Sequence, residues 1–156
     1  MTSLCLPSLA FVDGCGINCP DMERAVAEIV ARGKAGQPFT VFTLNLDHLV
    51  KLRRNARFRS AYANASVVTA DGAPVAWLAR AQNPQIERTT GADLAVPLAQ
   101  AAARERLPVF LFGTSPEVMA RAGRGLTHRT DGLIDIAGTL APSDDFDPEG
   151  PEADAA

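Results

Sequence analysis

The sequence predicts an α/β fold of Rossmann-like type, with a mostly parallel sheet flanked by helices in a single domain. Short apolar runs rich in β-branched or aromatic residues recur at 39–42, 65–70, 109–112 and 133–137, the pattern of strands buried on both faces. Helical sequence follows the first three, an alternation that builds parallel sheets. The runs also end in small or polar residues: Thr43 and Asn45, Asp71 and Gly72, Gly113 and Thr114. In open α/β sheets ligands bind beyond the carboxyl ends of strands, so these residues are candidates for a site.

Taken in order, residues 9–12 read as an edge strand, and Asp13 and Gly14 as a turn. Pro20 and Asp21 suit the first turn of a helix. Met22, Val26, Ile29 and Val30 then recur at helical spacing, and the helix stops near Gly33. Gly36, Gln37 and Pro38 form a loop before the strand at 39–42. Residues 47–62 read as one helix, with Leu49, Leu52 and Phe58 apolar and Lys51, Arg53, Arg54, Arg57 and Arg59 basic. Those cations could attract a pyrophosphate or an anionic head group. A solvated helix face is the simpler reading, and it keeps them out of the candidate site.

After the strand at 65–70, Gly72 permits a sharp turn and Pro74 opens a short helix in which Trp77 is expected in the core. Residues 87–91 are a loop and 92–106 a helix with Pro97 near its first turn. Residues 109–112 are the clearest buried strand and end at Gly113. Thr114 and Glu117 have capping-box spacing around Pro116, so a helix starts there. Its free N–H groups, next to Gly113 and Thr114, would suit a phosphate. Residues 141–150 form an acidic, Pro-rich loop, and Pro151 opens what reads as another helix. A parallel sheet would be expected to continue beyond it, so the domain is read as lacking C-terminal elements.

Composition narrows the function. A chain of 156 residues can bury roughly 68–70% of its unfolded surface, and 47% hydrophobic with 21% charged residues is globular rather than disordered. A net charge of −3 argues against nucleic acid as a partner. Cys5, Cys15 and Cys19 are odd in number, and only His48 and His128 could join them at a zinc site, so reduced thiols in a cytosolic protein are expected. The N-terminus lacks a basic n-region, which argues against a signal peptide. No run approaches the roughly 20 apolar residues of a membrane span, so any membrane contact would be peripheral.

Four motifs in this order, TLN at 43–45, TADG at 69–72, ERTTGADL at 87–94 and VFLFG at 109–113, resemble the WecG/TagA/CpsF family of bacterial glycosyltransferases. The resemblance covers about residues 11–148. It implies a Rossmann-like domain that transfers a sugar, of hexose, N-acetylmannosamine or uronic acid type, from a UDP-sugar to a polyprenyl-diphosphate-linked acceptor with inversion. The products would be cell-surface polysaccharides or exopolysaccharides, and the place of work the cytoplasm, at the inner face of the plasma membrane. The resemblance marks Asp71 as general base, and Thr43 and Asn45 as lining the donor or acceptor pocket. Gly72 belongs to the same DG motif, and Arg88, Gly91 and Asp93 fall on the ERxxGxD segment.

This agrees with the chemistry. Sugar transfer needs a carboxylate to take the acceptor's proton, and cations or N–H groups for the departing UDP. Arg88, and Gly113 with Thr114, could meet the second need. Asp145-Phe146-Asp147 has the metal-binding Asp-x-Asp form but reads as solvated loop, so neither metal nor other cofactor is expected. The family continues beyond position 156 into a further strand and an appendage that completes the site and docks on the membrane. Two alternatives stand beside the transferase: an inactive remnant or partner of an intact transferase, which a homo-oligomer would also allow, and a dinucleotide-binding oxidoreductase. The latter lacks G-x-G-x-x-G after its first strand, where only Gly14 and Gly16 occur.

Overall fold

In a computed structural model, residues 6–143, Phe146 and Gly150 are described. They form a mixed α/β fold whose chain divides into two compact units, 1–97 and 98–156. Asp145, Asp147 and the helix start expected at Pro151 lie outside the described residues.

The first unit opens with a hairpin of β1 (Ala10–Val12) and β2 (Cys15–Ile17). Asp13 and Gly14 form its two-residue turn, both with positive φ, 50° and 78°, the backbone that matches strand twist and favours Asp-Gly. β2 did not announce itself in the sequence, because Cys-Gly-Ile is too short to show alternation. Asp21 caps α1 (Met22–Lys34) by accepting from Arg24 N–H.

β3 (Val41–Leu44) lies two residues later than expected, so Thr43 sits within the strand rather than beyond it. The predicted helix at 47–62 is two helices, α2 (Leu46–Arg54) and α3 (Ala56–Ala63). Asn55 breaks it: its backbone is extended and its side chain accepts from Phe58 N–H, trading helix continuity for a new cap. β4 (Val67–Ala70) pairs parallel with β3, Val41 opposite Val67 through Leu44 opposite Ala70. α4 (Ala73–Arg80) follows directly. Trp77, expected in the core, is 71% exposed, because Val75, Ala76 and Ala79 form the buried face of α4 instead. Ile17, Leu44, Leu49, Leu52, Val68, Val75 and Ile86 belong to the core of this unit.

The division between units falls at Pro97, inside α5 (Gly91–Arg104). Pro97 is therefore an interior helix residue rather than a first-turn one. In the second unit, β5 (Val109–Phe112) pairs parallel with β6 (Ile136–Leu140) across α6 (Pro116–Arg129). β6 starts three residues later than expected, and Leu133 is exposed. β5, read as the clearest buried strand, is buried on neither face: Val109 and Leu111 are half-buried, and Phe110 and Phe112 are 44% and 53% exposed. Ser115, not Thr114, caps α6 by accepting from Val118 N–H. Ala99, Ala103 and Ile134 form the small core here. No helix among the described residues is long and apolar enough to cross a membrane.

Candidate functional site

β4 determines where the candidate residues meet. Along one edge, Val67 N–H donates to Thr40 O and Asp71 N–H to Leu44 O at 2.8 Å, so the parallel ladder runs one residue past the strand and fixes the Asp71 backbone at its mouth. The other edge has no regular strand, yet its polar groups are satisfied. The buried Asn18 side chain donates to Ser66 O and accepts from Val68 N–H at 2.7 Å. Asn18 and Cys19 N–H both donate to Val68 O, and Thr89 N–H to Ala70 O. A buried backbone group left unpaired would cost about 1–3 kcal/mol, so these contacts let β4 be buried although only β3 pairs with it as a strand.

Seven predicted site residues lie in this unit. Asp71 is half-buried at the end of β4, and among the described residues nothing donates to its carboxylate or pairs with it. Gly72 follows with φ 79° and ψ 149°, a region that only glycine adopts without strain. It turns the chain into α4, which starts without a side-chain cap. Asn45 caps α2: its amide oxygen accepts from His48 N–H at 2.9 Å.

The segment after Ile86 joins this strand-end cluster through a parallel bridge between Ala70 and Arg88, and through Thr69 Oγ1 donating to Thr89 O. That bridge carries Gly91 alongside Thr43, where an added Cβ would come within 3.7 Å of Thr43 Oγ1. Arg88 and Asp93 pair with each other at 3.3 Å, both about half exposed. Such exposed pairs hold weakly, typically by about 1 kcal/mol or less. Either partner can therefore turn to a ligand at little cost. Thr90 Oγ1 accepts from Asp93 N–H and so starts α5.

Gly113 and Thr114 belong to the second unit. Gly113 N–H donates to Leu140 O, extending the β5–β6 ladder by one residue, and Thr114 is exposed.

Several residues were not foreseen. Asn18 was not singled out in the sequence. Thr89 is 1% exposed, and its Oγ1 has no partner among the described residues. His48 Nδ1 lies 2.7 Å from the Tyr62 hydroxyl, a hydrogen bond whose direction follows the imidazole tautomer. Phe42 stacks on Tyr62, and Phe58 meets both Tyr62 and His48 edge-on. Burial pushes the Tyr62 phenol up, with the negative charges of Cys15 and Asp71 adding to it. The helical spacing of Phe58 and Tyr62 was visible in the sequence, but their meeting with Phe42 depends on the β3–α2–α3 crossover.

Burial likewise pushes the Cys15 and Cys19 thiols up to about 11. Both are free. A model of the glycosyl transferase WecG/TagA/CpsF family matches residues 11–155, a span that includes every site residue named above. The chain thus belongs to the WecG/TagA/CpsF family of glycosyl transferases.

Proposed function

We propose that the chain transfers a sugar with inversion from a UDP-sugar to a polyprenyl-diphosphate-linked saccharide, with Asp71 as general base. Family membership makes it a glycosyltransferase of cell-surface polysaccharide biosynthesis, with a sugar donor and a lipid-linked acceptor. The observation that carries the finer reading is the Asp71 carboxylate: half-buried at a strand end, held by its backbone, and with no described partner on its side chain.

In the proposed step the acceptor hydroxyl oxygen attacks the anomeric carbon, and the bond from that carbon to the UDP oxygen breaks. The electron pair leaves on UDP, and the hydroxyl proton passes to Asp71. A carboxylate already paired with a cation would be a weaker base, which is why its lack of a partner matters. Thr43 and Asn45 supply a hydroxyl and an amide for sugar or nucleotide oxygens. Gly91 leaves the approach to Thr43 open. Arg88 exchanges Asp93 for the departing diphosphate, adding a charge-assisted bond where negative charge develops.

Asp71→Asn preserves shape and removes only the base. Transfer, followed as UDP release with a lipid-linked acceptor, should fall by about 100-fold or more, with little change in thermal stability. Full turnover in that variant would remove Asp71 from the mechanism.

A further inference from the structure

A cavity of about 520 Å³ lies in the first unit between the β1–β2 turn and the α2–α3 pair. Its lining includes Asp13, Cys15, Leu52, Arg53, Arg59 and Tyr62, and its size is that of a small-molecule pocket. Its charged lining is Arg53 from α2 and Arg59 from α3 against the single carboxylate of Asp13, and the only acidic residue of the two helices, Asp47, pairs with Lys51 at 2.7 Å. The lining thus carries two guanidinium groups against one carboxylate, with the Tyr62 ring beside them. Tyr62 is linked to the candidate site by hydrogen bonds: Asn45 caps the turn that carries His48, and His48 bonds the Tyr62 hydroxyl.

We propose that this cavity seats the diphosphate group of a substrate, held by Arg53 from α2 and Arg59 from α3. Two guanidinium groups on separate helices suit a ligand with two linked anionic centres better than a single phosphate. In the free protein Asp13 holds the place: Arg53 Nε lies 2.7 Å from its carboxylate, with both side chains solvent-accessible. An exposed pair of this kind is weak, so a multivalent anion displaces the carboxylate and takes over Arg53. Arg59 already donates one nitrogen to Leu52 O at 2.7 Å. That bond orients the guanidinium and leaves its other N–H groups for the ligand.

Both substrates of the proposed transfer carry a diphosphate, so the choice between donor and acceptor rests on that reading, whereas the anion site itself does not. The test is calorimetric titration of the whole chain with inorganic pyrophosphate, UDP and farnesyl diphosphate. Pyrophosphate should bind, Arg53→Gln and Arg59→Gln should each weaken it by about tenfold or more, and Asp13→Asn should strengthen it several-fold by removing the competitor. Arg121→Gln, on the exposed face of α6, controls for general charge. Loss of UDP binding in the arginine variants assigns the cavity to the donor, and loss of farnesyl diphosphate binding alone assigns it to the acceptor. Absence of pyrophosphate binding, or equal binding in wild type and both arginine variants, overturns the proposal. Full turnover in Asp71→Asn alongside pyrophosphate loss in the arginine variants would sink the proposed mechanism and leave the cavity standing.

Discussion

The two parallel strand pairs, β3–β4 in the first unit and β5–β6 in the second, share one plan and differ in burial. Each is a strand–helix–strand crossover, and in each a backbone N–H beyond a strand extends the ladder: Asp71 to Leu44 in one, Gly113 to Leu140 in the other. Yet β4, Val-Val-Thr-Ala, is buried throughout, whereas β5, the more hydrophobic Val-Phe-Leu-Phe, alternates half-buried and exposed. Hydrophobicity alone did not decide burial. β4 is enclosed because Asn18, Cys19 and Thr89 satisfy its second edge, while β5 has β6 along one edge and α6 packed nearby. The strand whose neighbours complete its hydrogen bonding is the one that ends in the candidate base.

That comparison can be broken most directly at Asn18. Asn18→Ala deletes two buried hydrogen bonds and strands Val68 N–H, which should cost about 2–4 kcal/mol in urea unfolding. Hydrogen exchange should then speed up along β4 and stay unchanged along β5 and β6. Unchanged stability would mean that the second edge of β4 does not need Asn18.

Next in size is the turn beyond β4. Gly72→Ala places a Cβ in a backbone region essentially reserved for glycine, for about 1–3 kcal/mol. In the second unit, Gly138→Ala meets the Phe110 ring at 2.7 Å, but that ring is partly exposed and can swing away, so its penalty should be the smaller. Thermal midpoints of the two variants would rank them, and the reverse order would show that Gly72 has room to relax.

A third difference is the response to alkali. The folded first unit holds the protons of Cys15 and Cys19 more tightly than an ordinary thiol at 9.0, up to about 11. A folded-state value raised in this way adds stability that is complete below the ordinary value and lost as pH climbs through the folded one. Unfolding free energy should therefore fall as pH rises from about 9 to about 11. Tyr62, also raised, acts in the same sense. As the chain's only tyrosine, it supplies a clean signal: phenolate absorbance should appear together with unfolding rather than before it. An early phenolate signal in the folded protein would contradict the burial of Tyr62.

The smallest effect belongs to β5. Phe110→Thr keeps a strand-favouring residue at a partly exposed position and should shift stability by less than about 1 kcal/mol. A loss of several kcal/mol would show that this face is covered in solution.

Much of this was legible in the residues. The apolar runs, with the edge strand read at 9–12, located five of the six strands among the described residues to within a few residues, and Asp21, Gly72 and Pro116 announced helix boundaries through their backbone preferences. The motif cluster around Asp71 was legible because strand ends carry short, distinctive residues. Trp77 and the 47–62 helix were misread for one reason: periodicity shows that a face exists, not which face is covered or whether an asparagine prefers to cap. Asn18, Thr89 and the His48–Tyr62 pair were invisible because their partners lie far away in sequence.

The sequence by itself determined the α/β alternation, the family and the chemical identity of the strand-end residues, since these depend on local preference and on motif order. Only the tertiary structure decided that β4 is the enclosed strand, that Gly91 lies against Thr43, and that Arg53 and Arg59 line one cavity. Each of those depends on which segments pair across long stretches of chain. Such pairing is selected by the requirement that buried polar groups find partners and apolar faces find cover at the same time.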